Sequence, residues 1–463
     1  MNTWQDATED LRQAAAGVDA QALGAELHEL VRELYPICRS ITGEGLRRSL
    51  RILQRMVPLE LREVPTGTRV FDWVVPKEWT FRSARLRAPG GELILDAQRL
   101  NLHVLNYSKP FRGKVSLEEL QRHLYSLPHR PSFVPYRTSY YKEDWGFCLS
   151  EQQRQTLRPG EYEVEIDTEL ADGSLTYGEI VVPGSQDDEV LISTHCCHPS
   201  LANDNCAGMA MCAALARLLR GMKPRYSYRF LFVPGTIGAI AWLARNEQRA
   251  SRIAHGLVAA CVGDAGRLTY KRSRRGDAGI DRAVVHVLSH CGQDHEVRDF
   301  SPYGYDERQY CSPGFDLPVG SLTRTPYGEY PEYHTSADDP GLVKPEKLVD
   351  TLCRYLNVFE VLEGNRAFVN LSPKCEPQLG KRGLYAPVGG QSHAAAKQMA
   401  MLWVLNLSDG KHALLEIAER ARMPFADIDR AARALHAAGL LAEAAPGPVG
   451  LQDQNEVTLL PLG

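Results

Sequence analysis

The sequence predicts an α/β protein built on a mainly parallel sheet with helices on both faces, carrying an inserted small β-domain and a C-terminal winged-helix-like unit. Three observations predict it. From Asp188 onward, compact apolar strands alternate with amphipathic helices. Between about Thr68 and Gly184, short strand-like runs are separated by Gly and Pro. Beyond Met401, two short helical patterns are divided by Pro424. Alternation of strand and helix is the mark of a parallel sheet covered by helices, whereas clustered short strands with turn residues mark a separate β unit.

Taken in order, Leu23, Leu27, Leu30, Val31, Leu34 and Ile37 recur at helical spacing between Leu23 and Arg39. Gly43-Glu44-Gly45 interrupts that pattern, and LRRSLRILQRM starts a second helix. The runs VFDWVV, ELILDA and EYEVEIDTEL then read as strands. This stretch is dense in aromatic residues, among them Trp73, Trp79, Tyr107, Tyr136, Tyr140, Tyr141 and Trp145. They form either the core of a small β-domain or a wall over a ligand site. Next come the strand EVLISTHC, the helix AGMAMCAALARLL, the strand YSYRFLFV, the helix GAIAWLARN, the strand HGLVAACVGD and the helix DRAVVHVLSHCG. In the last unit Leu414, Leu415, Ile417 and Ala418 share one helix, and Phe425, Ile428, Ala432 and Leu435 the next, which Gly439 ends. PVGLQDQNEVTLL reads as a hairpin, completing a helix-turn-helix with a wing. The expected domains are therefore residues 1–67 with 185–385, the insert 68–184, and the unit 386–463.

Composition limits the function classes. With 44% hydrophobic and 24% charged residues the chain is globular rather than disordered. A net charge of -4 gives no reason to expect a polyanionic partner or an anionic membrane. MNTWQDATEDLRQ has no basic and apolar leader pattern, and no run reaches the roughly 18 apolar residues of a spanning helix. The eleven cysteines are scattered, and Cys196 and Cys197 are adjacent, which favours a reduced compartment and a cytoplasmic location.

The most informative stretch is THCCHPSLANDNCAG. His195 and His198 follow a strand, and Asp204 lies just before a helix. Asp264 ends another strand, and His334 lies in the loop EYPEYHTSADD. Imidazole and carboxylate are the ligands zinc takes, and ligands in open α/β sheets gather at the carboxyl ends of the strands. Each residue has an ordinary explanation alone: a loop histidine, a helix N-cap at Asp204, a turn residue at Asp264. Three or four such groups at successive strand ends are hard to attribute to chance.

On these residues the region 188–339 resembles the co-catalytic zinc aminopeptidases. The whole chain looks like a bacterial group of aminopeptidase-like proteins with an inserted β-domain and a winged helix, often associated with polysaccharide biosynthesis. The resemblance implies that His195, Asp204, Asp264 and His334, in Tyr333-His334-Thr335, bind metal, with Asp204 as the bridging carboxylate. One departure stands out. Those enzymes carry Glu-Glu after the next strand, the first a general base and the second a ligand, where this chain reads Pro234-Gly235-Thr236. The resemblance therefore implies a lost base at Gly235, and one zinc ion rather than two. Removal of a general base typically lowers a rate by about 10²- to 10⁴-fold.

A substitute base is sought in GYDERQYCSPGFDLPVG, where Glu307 is the candidate and Arg308 would grip a substrate carboxylate or phosphate. An exposed charged cluster is the ordinary alternative. His198 and Tyr333 are assigned to substrate contact, with a place among the ligands as the alternative for His198, and the run Lys271-Arg272-Ser273-Arg274-Arg275 to an exposed turn. From Leu402 onward, five Lys or Arg face eight Asp or Glu, which argues against DNA and for a protein partner or homo-oligomer through the winged helix. The expected function is hydrolysis of an amide bond in a small aminoacyl, peptide or amino-sugar substrate. The alternatives are a metal-binding scaffold of the same fold, catalytically impaired because Gly235 and Thr236 replace Glu-Glu, and a ligand-sensing DNA regulator.

Overall fold

The computed structural model describes residues 3–384 and 392–444, and these divide into two compact units, the first ending at Glu363 and the second starting at Gly364. The first is organised by an eight-stranded sheet. Its strands are β1 (Glu60–Pro65), β2 (Ser174–Val182), β3 (Glu189–His195), β4 (Ser227–Val233), β5 (Ile253–Val258), β6 (Leu268–Lys271), β7 (His295–Arg298) and β8 (Val319–Thr323). They lie in the order β1-β2-β4-β3-β5-β8-β6-β7. The centre, β4-β3-β5-β8, is parallel, as is β6-β7, while β1-β2, β2-β4 and β8-β6 are antiparallel. A strand with both faces covered reads as an unbroken apolar run. That holds for β3, every residue of which is buried.

Helices pack around this sheet. Ala207–Leu219 follows β3, and its small residues Ala207, Gly208, Ala210, Ala213, Ala214 and Ala216 are all buried. Such side chains let the helix lie close to the sheet: a methyl on Gly208 would sit 2.5 Å from the Ala259 carbonyl oxygen and from Thr194 Oγ1. Ile237–Arg245 follows β4 and buries Trp242 completely.

Two boundaries differ from the sequence reading. The insert ends before Ser174 rather than at 184, because the run Ser174–Val182 pairs with both β1 and β4 and so belongs to the main sheet. Strand partners distant in sequence decided this, and a local pattern does not report them. The C-terminal unit begins at Gly364 rather than at 386, because the strand Ala367–Asn370 pairs with Asp409–Ala413 and Leu441–Glu443 inside that unit.

The insert contains a four-stranded antiparallel sheet of Leu93–Asp96, Glu78–Arg87, Glu161–Ala171 and Phe111–Ser116. Trp79, Leu86, Tyr162, Val164 and Ile166 are buried in a cluster continuous with Leu231, Val233 and Trp242 of the main sheet layer. Phe111 stacks on Trp145 at 4.2 Å, and Trp79 on Tyr107 at 5.9 Å, so many of the aromatic residues build the core. In the C-terminal unit the helices Leu414–Ala421 and Phe425–Ala437 bury the expected apolar residues. The expected hairpin lies outside the described residues. Among the described residues, no helix is long and apolar enough to cross a membrane.

Candidate metal centre

The carboxyl end of β3 delivers the first group. His195 is its last residue and lies in register with Val233, the last residue of β4. The chain then turns through Cys196 to Leu201 and enters a distorted helical segment, Ala202–Cys206, before the regular helix begins. Asn205 has a φ of 137°, and its side-chain amide donates to the carbonyls of His198 and Leu201, both at 3.1 Å. Arg39, fully buried, donates from Nε to the His198 carbonyl at 3.0 Å. These contacts fold the turn back so that strand end and helix start meet.

The outcome is a convergence of donor atoms. His195 Nε2 lies 3.0 Å from Asp204 Oδ1, and His334 Nε2 lies 2.8 Å from Asp204 Oδ2. His195, His198 and Asp204 each offer an atom within 4.8 Å of the others. The close atoms are misaligned for hydrogen bonding. His195 Nδ1 and Nε2, both Asp204 oxygens and His334 Nε2 are all buried without a hydrogen-bond partner. A buried polar atom left unpaired costs about 1–3 kcal/mol. Five in one place fit a set of ligand atoms whose shared partner is a cation. Imidazole and carboxylate suit zinc.

Electrostatics support that fit. Burial opposes charge on Asp204, but His198, His195 and His334 together hold its carboxyl well below the usual carboxylate range. Burial pushes the His198 imidazole well below its ordinary value, against the pull of the Asp204 carboxylate, and its two ring nitrogens lie near Cys197 Sγ at 3.3 Å and the Tyr305 hydroxyl at 3.5 Å. A second carboxylate, Asp338, stands behind the loop. Its oxygens accept the backbone N–H of Asn203 at 2.6 Å and of Asp204 at 3.0 Å. Burial pushes Asp338 up to about 8, opposed by the Asn203 N–H and reinforced by the Asp204 charge.

The insert reaches this site. Pro135 and Thr335 form an isolated bridge, Tyr136 N donates to the His334 carbonyl at 2.8 Å, and Val134 N donates to Ser336 Oγ at 3.0 Å. His334 is thereby held at a φ of 53°. Tyr136 packs against His198 and His334 with ring centroids at 4.9 and 5.2 Å. Part of the aromatic set therefore does form a wall over the site.

Other expected residues lie elsewhere. Asp264 does not end a strand, because β5 stops at Val258. Both its oxygens are occupied: Asn203 Nδ2 and Thr325 N donate to one, Gly266 N and Thr325 Oγ1 to the other. It braces the Asp204 loop through Asn203 and offers no free atom to an ion. Glu307 is fully buried and pairs with Lys271 Nζ at 2.5 Å while accepting the Tyr305 N–H, so it anchors its own loop instead of facing the donors. His198, expected at the substrate, stands among the possible ligands. Tyr333 stacks on His334 at 4.0 Å and fixes that ring. Arg308 is exposed and lines a cavity of about 210 Å³ with Gly235, Thr236, Tyr305, Trp73 and Tyr141.

Tyr305 and Asp338 escaped the sequence reading, although both lie in loops singled out there. Tyr305 explains Gly235. A methyl at position 235 would lie 1.8 Å from Tyr305 Cε1, so the phenol ring fills the space of any side chain there. The ring packs on His195 at 4.2 Å, and its hydroxyl lies 3.4 Å from the Gly235 carbonyl and 3.5 Å from His198 Nε2. Burial holds this phenol far above its ordinary value, so it is a neutral donor and not a base.

Comparison with known proteins follows the same division of the chain. A family described as a domain of unknown function, DUF4910, matches residues 28–365, and one described as winged helix-turn-helix matches residues 366–443. A Clostridium acetobutylicum protein, provisionally named a polysaccharide biosynthesis protein with aminopeptidase-like domain, is 50% identical over 90% of this chain and 96% of its own. A crystal structure of a provisionally named peptidase from the same organism has a TM-score of 0.89 at 47% identity, covering 94% of this chain and 100% of that one. The zinc aminopeptidase of Bacillus subtilis shares the fold, with a TM-score of 0.54 at 13% identity over 73% of this chain and 94% of that one. An M28 peptidase precursor from Shewanella amazonensis does likewise, at 0.54 and 15% over 77% and 96%. The chain belongs to the DUF4910 family, as an aminopeptidase-fold domain followed by a winged helix-turn-helix.

Proposed function

We propose that the protein is a metal-dependent hydrolase that cleaves an amide bond in a small aminoacyl, peptide or amino-sugar substrate. The observation that carries this reading is the group of five buried, unpaired donor atoms on His195, Asp204 and His334, beside His198. His195, His198 and Asp204 would hold one zinc ion, and His334, whose Nε2 lies 2.8 Å from Asp204 Oδ2, would add its own ring nitrogen to the set. Zinc bound there supplies Lewis acidity toward a carbonyl and activates water near neutral pH. No second carboxylate is present at Thr236, and Asp264 is already occupied, which supports one ion over two.

The chain's own residues do the rest. Tyr305 donates a hydrogen bond toward the reacting oxygen from the side where the related enzymes carry a carboxylate. Arg308 receives an anionic group on the substrate, and Trp73 and Tyr141, their rings tilted at 59° with centroids 5.2 Å apart, offer an aromatic surface to its body. A second reading, a binding or scaffold protein without turnover, is favoured by one observation: the Tyr305 ring excludes any carboxylate at position 235.

A panel of aminoacyl anilides, dipeptides and aminoacylated amino sugars separates the two. Zinc-loaded protein should turn over at least one of them, slower by about 10²- to 10⁴-fold than an enzyme with a carboxylate base. Asp204→Ala should reduce that turnover to background. Zinc-replete protein that cleaves nothing in the panel would favour the scaffold reading.

A further inference from the structure

A second concavity, sharing no residue with the metal centre, lies at the edge of the main sheet. It encloses about 570 Å³ and is lined by residues of β1, β2 and β4 and by residues at the ends of three helices, Ala207–Leu219, Ile237–Arg245 and Glu247–Ala250. Arg229, on its floor, lies four residues before Val233, the β4 residue in register with His195. At about 3.3 Å per residue, that places the cavity roughly 13 Å along the strand from the metal centre, toward the opposite edge of the sheet.

Its lining is strongly basic in a protein of net charge -4. Arg62, Arg220, Arg229, Arg245 and Arg249 line it against only Glu60 and Glu179. Both glutamates are already engaged. Glu60 pairs with Arg62. Glu179 accepts from Arg229 and from Trp242 Nε1. Arg229 is 2% exposed and is held from behind by Glu189 at 2.5 and 2.7 Å, so it forms a rigid base. Arg220 and Arg245 are exposed and have no acidic partner among the described residues. Arg249 reaches only Glu189 Oε1, at 3.9 Å, an oxygen that Arg229 already uses. Two guanidinium groups, those of Arg220 and Arg245, thus face the cavity with their charge uncompensated, and Arg249 only shares a carboxylate with Arg229.

Arginine at a helix end offsets the helix dipole, and Arg220 and Arg245 both stand at such ends. That accounts for each residue singly and not for their convergence with Arg249 on one concavity. Like charges gathered in a cleft repel one another and focus a positive potential, which a multivalent anion relieves. Guanidinium groups match phosphate oxygens in paired hydrogen bonds, and the volume suits a small molecule.

We propose that this cavity binds a soluble small molecule carrying a diphosphate, gripped by Arg220, Arg245 and Arg249. The test is isothermal titration of inorganic pyrophosphate into the full-length protein, the double variant Arg220→Ala/Arg245→Ala and, separately, His195→Ala. Wild type should bind one pyrophosphate per chain, and the double variant about tenfold or more weaker, with its fold retained by circular dichroism because both side chains are exposed. His195→Ala should bind as wild type does, which separates this cavity from the metal centre. Equal affinity in the double variant, absence of binding by wild type, or loss of binding in His195→Ala would each overturn the proposal.

Discussion

Gly235→Ala should lower the melting temperature, and Gly235→Glu should lower it further without creating an efficient amidase. The new Cβ would lie 1.8, 2.5 and 2.7 Å from the Cε1, Cζ and hydroxyl oxygen of Tyr305. The phenol has little freedom to retreat, because its ring lies on His195 and stacks near Tyr327 at 5.8 Å. Overpacking of this kind costs about 1–3 kcal/mol, and more for a charged side chain forced into a buried site. The sign reverses in combination. Tyr305→Ala opens the space, so Gly235→Glu/Tyr305→Ala should be more stable than the two single effects predict, by about 1–3 kcal/mol. Additivity in that cycle would show that the two positions do not compete. Placing a carboxylate at position 235 therefore takes two substitutions, since the glycine and the tyrosine form one arrangement.

Asp338→Ala has the second large effect. It leaves the N–H groups of Asn203 and Asp204 buried without an acceptor, at about 1–3 kcal/mol each. It also frees the segment that aims Asp204 between His195 and His334. Loss of an outer partner that orients a ligand typically lowers metal affinity by about 10- to 100-fold. Zinc competition against a chelator, together with thermal melts, reads both. Asp338→Asn, which keeps one acceptor oxygen, should fall between wild type and alanine. An alanine variant with wild-type zinc affinity would show that Asp204 is positioned by other contacts.

Much of this was legible in the sequence, for reasons that particular elements make plain. The run EVLISTHC is apolar throughout because β3 is covered on both faces, and the helix from Ala207 to Leu219 follows the small-residue pattern that close packing on the sheet demands. His195 and Asp204 are nine residues apart and are joined by local geometry, so their meeting follows from strand, turn and helix alone. His334 was readable as a candidate from its loop, but its approach to Asp204 was not, since the insert residues Val134 to Tyr136 hold that loop in place. Asp264 and Glu307 look like free carboxylates in sequence, and only tertiary contacts with Thr325, Asn203 and Lys271 show both to be engaged. Tyr305 was invisible for a related reason. Glycine at 235 reads as a loss until the ring that fills its space comes from seventy residues away.

The central claim is that His195, His198, Asp204 and His334 form one cation site. Elemental analysis of protein purified without added chelator tests it most directly, on wild type, His195→Ala and Asp204→Ala, with melting curves to confirm folding. Wild type should carry about one zinc per chain and each folded variant close to none. Zinc retained in full by a folded Asp204→Ala protein would place the metal elsewhere and contradict the account.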